Sequence, residues 1–181
     1  MNKLLIACIL SLFVALTVKA QTGLKKVYDE DVNPIEQIEK AVGKAKADGK
    51  FVICQVGGNW CPWCLRFADF ISRNADIRQI IDENFEYIHV NYNPRRSENA
   101  EKVQQAAALM ERLNNCGRFG FPVFVVLDTD GKVIHIQDSS FLEAEQQESQ
   151  RTGAPAGMEQ WYNKEKVVRF LKNWTAGAVR N

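Results

Sequence analysis

The sequence is short of three things: charge of one sign, histidine, and clustered metal ligands. Each shortage removes a class of function. Lysine and arginine number 23 against 22 aspartates and glutamates, a formal net charge of +1. A chain this balanced has no basic excess with which to hold a nucleic-acid backbone. The two histidines, His89 and His135, both fall in strand-like runs and neither has a sequence partner that would make a cysteine–histidine hydrolase. Apart from the close pair Cys61 and Cys64, the candidate ligands are Cys54, Cys116, His89 and His135, with no second pair at close spacing to complete a four-ligand zinc site. No metal and no cofactor is therefore expected. Beyond Cys8, four cysteines over about 160 residues are too sparse for a disulfide-stapled scaffold. An apolar share of 46% against 25% charged residues excludes a disordered chain and supplies a core without staples. There is no internal repeat and no sign of a second domain.

The first twenty residues stand apart. Lys3 is followed by a nearly unbroken apolar run from Leu4 to Val18, and Val18-Lys19-Ala20 places small residues where signal peptidase requires them. The run is about fifteen residues, short of the roughly 20 that span a bilayer. Residues 1–20 are accordingly expected to be a signal peptide, with a periplasmic or secreted mature chain starting at Gln21 and holding no stable membrane association. Its removal takes away Lys3 and Lys19 and no acid, turning the formal charge from +1 to −1.

Residues 21–33, with the acidic run Asp29-Glu30-Asp31, are expected to form an exposed lead-in, and residues 34–175 the folded domain. Asn33-Pro34 starts a helix that carries Ile35, Ile38, Ala41, Val42 and Ala45 on one face and closes at Asp48-Gly49. Phe51 to Val56 is continuously apolar, as a central strand buried on both faces would be. A second helix carries Leu65, Ala68 and Ile71. Asn74 or Asp76 caps a shorter helical stretch through Ile77, Ile80 and Ile81, and Phe85 to Tyr92 is a strand. Ser97 and Glu98 begin a long helix that ends at Asn114-Asn115-Cys116-Gly117. Pro122 to Leu127 and Lys132 to Gln137 are strands joined by the turn Asp128-Thr129-Asp130-Gly131. A final helix is expected over about residues 158–174. The stretch from 138 to 157 is long for a connection and reads as an insertion with a short helix around 141–147.

The chemistry concentrates in Gly57-Gly58-Asn59-Trp60-Cys61-Pro62-Trp63-Cys64, where a strand becomes a helix. Unpaired N–H groups and the positive end of the macrodipole favour thiolate over thiol at the first cysteine. Pro62 suits the first helical turn, and Cys64 is close enough along that turn for a disulfide to close. Trp60 and Trp63 supply apolar surface for a substrate segment. Cys54 and Cys116 read as small buried hydrophobes, with a second disulfide between them left open.

The element order, the Trp-Cys-x-x-Cys at the first strand–helix junction and Phe121-Pro122 before a strand resemble the thioredoxin fold, an α/β single domain with a central mixed sheet flanked by helices. In detail, Ala47-Asp48-Gly49-Lys50-Phe51-Val52-Ile53 and Phe121-Pro122 through Asp130-Gly131-Lys132 resemble the secreted relatives of the C-terminal domain of thiol:disulfide interchange reductases. The resemblance implies that Cys61 is the exposed nucleophile, Cys64 the resolving cysteine and Pro122 a cis-proline facing the disulfide. With Phe121, Pro122 would offer a backbone edge on which a substrate segment pairs. It implies a thiol:disulfide oxidoreductase, reductase-like in direction, acting as a monomer on protein thiols and disulfides with a redox partner protein. The alternative is a non-catalytic binding module that uses the cysteine pair to hold a partner or a metal. One position departs from the family: the buried acid that thioredoxins often carry six residues before the first cysteine is Gln55 here. An amide cannot act as a base, so proton transfer at Cys64 needs water, a neighbour such as Glu or Lys, or another cysteine.

Overall fold

The computed structural model describes residues 23–93, 99–145 and 161–180. The signal-peptide expectation, Ser97 and Glu98, and most of the insertion lie outside the described residues. Helix α1 spans Pro34–Asp48 because both its ends are satisfied. Asn33 accepts from the Ile35 and Glu36 amides at the start, and Gly49, at φ +69°, turns the chain at the end and donates to Ala45 and Lys46. Strand β1 (Phe51–Gly57) is buried at every residue. After it come α2 (Pro62–Arg73), α3 (Ala75–Asn84), β2 (Phe85–Asn91), α4 (Ala100–Arg112), β3 (Val123–Leu127) and β4 (Val133–Asp138).

The four strands form one sheet in the order β2-β1-β3-β4. β1 runs parallel to β2 and antiparallel to β3, and β3 is antiparallel to β4. Alternation along β1 divides the core. Val52, Cys54 and Val56 face α1 and α4, meeting Ile38, Val42, Leu109 and Leu113. Phe51 and Ile53 face the other side, where Phe67, Ile77, Ile81, Phe170 and Leu171 pack. Because β1 and β3 are antiparallel with Val56 opposite Val123, the end of β1 and the start of β3 share one edge of the sheet. The cysteine motif and Phe121-Pro122 are thereby brought together.

Three expectations require correction. The lead-in is not uniformly exposed: Tyr28 is 5% exposed, because the Asn59 side chain takes the place of a neighbouring strand. Its Oδ1 accepts from the Val27 and Tyr28 amides at 3.2 and 3.1 Å, and its Nδ2 donates to the Tyr28 carbonyl at 2.8 Å. The last long helix, α5, is Lys164–Asn173, begun by Asn163, which accepts from the Lys166 amide. Trp161 and Tyr162 precede it in extended backbone. Tyr162 bridges Glu143, with Ala144 donating to the Trp161 carbonyl and Asn163 to the Leu142 carbonyl. Where a short helix was expected around 141–147, the described residues up to Glu145 hold a 3-10 turn, Ser139–Leu142, begun by Asp138, followed by extended backbone. A short α6 (Ala176–Arg180) follows α5.

Candidate active site

The turn out of β1 is shaped by two glycines. A Cβ on Gly57 would overlap Cys64 Sγ, and one on Gly58 would overlap the indole of Trp60. The Cys61 amide then donates to the Gly58 carbonyl at 3.0 Å, and Cys61 becomes the N-cap of α2, with Pro62 in the first turn. Cys61 and Cys64 are joined as a disulfide, Cα atoms 5.3 Å apart. Cys61 Sγ also accepts the Cys64 amide at 3.2 Å, so one of the free N–H groups at the head of the helix points at the first sulfur. Such a donor favours negative charge there once the bond opens.

The resemblance implied an exposed nucleophile; Cys61 is 5% exposed and Cys64 fully buried. The cover comes from Val27, Trp63 and Phe121, packed on a small cluster of Tyr28, Cys61, Cys64 and Leu65. The Phe121–Pro122 bond is cis, and the Phe121 carbonyl oxygen is 3.6 Å from Cys61 Sγ. Trp60 stands at the rim, 36% exposed. Its Nε1 donates to the Tyr92 carbonyl at 3.0 Å, and its ring meets Phe121 edge-on while Phe121 stacks on Tyr92.

The two tryptophans are therefore placed differently. Trp60 joins Phe121 at the opening. Trp63 turns the other way, edge-on to Trp161 and Tyr162, and the Tyr162 hydroxyl donates to its carbonyl at 3.1 Å. Arg66, one turn on, lies 3.7 Å above the Trp161 ring.

A family model described as a thioredoxin-like domain matches residues 38–148. The chain belongs to the thioredoxin-like family. Among solved structures, a disulphide isomerase from Xylella fastidiosa Temecula1 is similar at 22% identity, over 83% of this chain and 98% of its own, with a TM-score of 0.59. At that identity the likeness shows the fold. A DsbH oxidoreductase (22% identity, 55% of this chain, 67% of its own, TM-score 0.43) and a thioredoxin-fold protein from Helicobacter pylori (18%, 81%, 97%, 0.35) match more faintly. No curated protein matches. A bonded Cys-x-x-Cys at the head of α2 makes this thioredoxin-like protein a thiol:disulfide oxidoreductase in kind.

Beneath the pair, this thioredoxin-like domain departs from a carboxylate. Gln55 is fully buried. Its Nε2 donates to Tyr28 Oη at 2.7 Å and to the Cys64 carbonyl at 2.9 Å, and its Oε1 accepts from Tyr87 Oη at 2.6 Å. The neighbours are thus tyrosines, not the Glu, Lys or cysteine considered from sequence. Burial raises the ionisation of both phenols above the usual tyrosine range, which keeps them protonated and able to donate. Residues with no signal in the sequence are Tyr28, Asn59, Tyr87, Trp161 and Tyr162, whose partners lie far along the chain.

Cys54 and Cys116 are free and buried, and burial pushes the Cys116 thiol up to about 11. Among the described residues no three His, Cys, Asp or Glu side chains converge to hold a metal ion. No helix among them is long and apolar enough to cross a membrane. A cleft of about 500 Å³ bordered by Glu30, Asp31, Asn91, Lys102 and Gln105 includes neither member of the pair in its wall.

Proposed function

We propose that the protein is an exported enzyme that exchanges disulfides with protein thiols through Cys61-Pro62-Trp63-Cys64, working as a monomer and in the direction of substrate reduction. The observation that carries this reading is the bonded pair with Cys61 as helix cap, its sulfur receiving the Cys64 amide. Reduced Cys61 attacks a substrate disulfide and forms a mixed disulfide. Cys64, one turn deeper, attacks Cys61 and releases the reduced substrate. Trp60 and Phe121 supply the apolar rim against which a substrate segment lies, with the Phe121 carbonyl beside Cys61 as a main-chain acceptor. The Pro62-Trp63 dipeptide offers no histidine to stabilise the Cys61 thiolate, which favours a reducing role. Export rests on the leader-like first twenty residues, and the thiol chemistry suits a compartment where disulfides persist.

The test is insulin reduction with dithiothreitol as electron source. Cys61→Ser is expected to abolish catalysis, and Cys64→Ser to accumulate mixed disulfides separable on non-reducing gels. Unchanged turnover in both variants refutes the reading. The reduction potential of the pair against glutathione decides direction, a value at the strongly oxidising end of the family range reversing it.

A further inference from the structure

Resolution requires Cys64 to carry negative charge at a place where no water reaches it. Its side chain is 0% exposed, and burial without a donor disfavours a thiolate. The surrounding donors can be accounted for individually. Both hydrogens of the Gln55 amide are committed, one to Tyr28 Oη and one to the Cys64 carbonyl. The Tyr87 hydroxyl proton goes to Gln55 Oε1. The Tyr162 hydroxyl proton goes to the Trp63 carbonyl.

Tyr28 differs. Toward Gln55 its hydroxyl is an acceptor, so its own proton is left over, and among the described residues no oxygen takes it. A methyl group placed on Gly57 would overlap Cys64 Sγ and stand 3.0 Å from Tyr28 Oη. The sulfur and the hydroxyl therefore border the same point, kept open by the missing side chain of Gly57. In the disulfide the sulfur carries no charge, and no hydrogen bond joins the two.

We propose that Tyr28 is the hydrogen-bond donor to the Cys64 thiolate during resolution, held there by the Asn59 clamp on the lead-in. The proposal rests on the oxidoreductase reading. In the step itself Cys64 gives up its proton and its sulfur bonds to Cys61 Sγ. The bond from Cys61 to the substrate sulfur breaks, its electron pair leaves on the substrate sulfur, and that sulfur takes up a proton. Nothing else is consumed. Tyr28 stays protonated and supplies the donor that makes the attacking charge tolerable. The other titratable groups facing the pocket are Cys61 on the motif turn, Tyr87 and His89 on β2, and Tyr162 on the segment before α5. The carboxylate tied to it through hydrogen bonds is Glu30, which accepts from Asn59 at 3.0 Å.

The experiment uses the full chain carrying Cys61→Ser, with Tyr28 or with Tyr28→Phe, and follows the Cys64 carbon-13 β shift by NMR against pH. Loss of a donor to a charged group is expected to raise the Cys64 pKa by about one to two units. In the intact pair, Tyr28→Phe is expected to slow resolution of a mixed disulfide with a model peptide about tenfold near neutral pH, the loss closing as pH rises. An unchanged Cys64 pKa, or a rate loss independent of pH, overturns the proposal. Should Tyr28→Phe fail to fold, 3-fluorotyrosine at position 28 keeps the shape and strengthens the donor. It is expected to lower the Cys64 pKa, and a pKa that stays or rises overturns the proposal equally. Absence of insulin reduction by the unaltered protein would refute the oxidoreductase reading separately, since the Cys64 titration does not depend on turnover.

Discussion

Acid is expected to destabilise this protein through one histidine before the carboxylates titrate. His89 lies beside Gln55 across the parallel ladder, edge-on between the rings of Tyr28 and Tyr87. Its Nε2 is buried and has no hydrogen-bond partner among the described residues. Burial holds its pKa down to about 4, against an ordinary value of 6.5. Above pH 6.5 the ring is neutral in both the folded and the unfolded chain, and it adds no pH dependence. As pH falls from 6.5 towards 4, the unfolded chain takes up a proton that the folded protein refuses, so stability drops. Below about 4 both states are charged and the loss stops. A gap of about 2.5 units at about 1.36 kcal/mol each sets the full effect at about 3 kcal/mol. His89→Phe keeps a ring in place and removes the titration. Urea unfolding of the oxidised proteins at a series of pH values from 7.5 to 4 measures the effect, and carboxylates common to both proteins cancel in the difference. The stability lead of His89→Phe is expected to widen by about 3 kcal/mol across that window. Parallel pH profiles, or a His89 ring resonance titrating near 6.5, would refute the reasoning.

Phe67 is 2% exposed and its ring packs on Phe124 and Tyr162 at 4.4 and 4.7 Å; Phe67→Ala is expected to cost about 3–5 kcal/mol in urea unfolding, and a loss under about 1 kcal/mol would contradict the packing described. Burial pushes the Cys116 thiol up to about 11 and the Cys54 thiol higher still. Iodoacetamide at pH 8 is therefore expected to mark Cys61 in the native reduced protein and to reach Cys54 and Cys116 only after denaturation, with peptide masses as the readout.

What could be read from the sequence was what the chain encodes locally. Asn33, Pro34 and Gly49 bracket α1 because capping is chemistry between near neighbours, and β1 declares its central place by having no polar face apart from Gln55. The cysteine motif was legible for the same reason: two thiols, a proline and a helix start lie within four residues. The surroundings of Cys64 were not. Tyr28 directly precedes an acidic run that reads as solvated, and nothing in its neighbourhood announces that Asn59 will pair with its backbone across the motif turn. The burial of Cys61 likewise depends on Val27 and Phe121, which arrive from separate parts of the fold. Trp161 fits the apolar spacing of the last helix, yet the pairing of Tyr162 with Glu143 keeps it in extended backbone, a tertiary contact overriding a periodic pattern.

The bridge between residues 142–144 and 161–163 has a consequence for how proteins of this design can diverge. It ties the departure and the return of the chain together, so whatever joins Glu145 to Trp161 starts and finishes at one fixed doorway. Doubling the length of such a loop costs only about 0.6 kcal/mol in closure entropy. The returning Trp161 and Tyr162 rest on Trp63 of the motif, so the doorway lies against the flank of the motif helix that faces away from the Trp60 rim. The stretch between the two ends can thus vary in length at little cost to the core and the motif that both ends rest on.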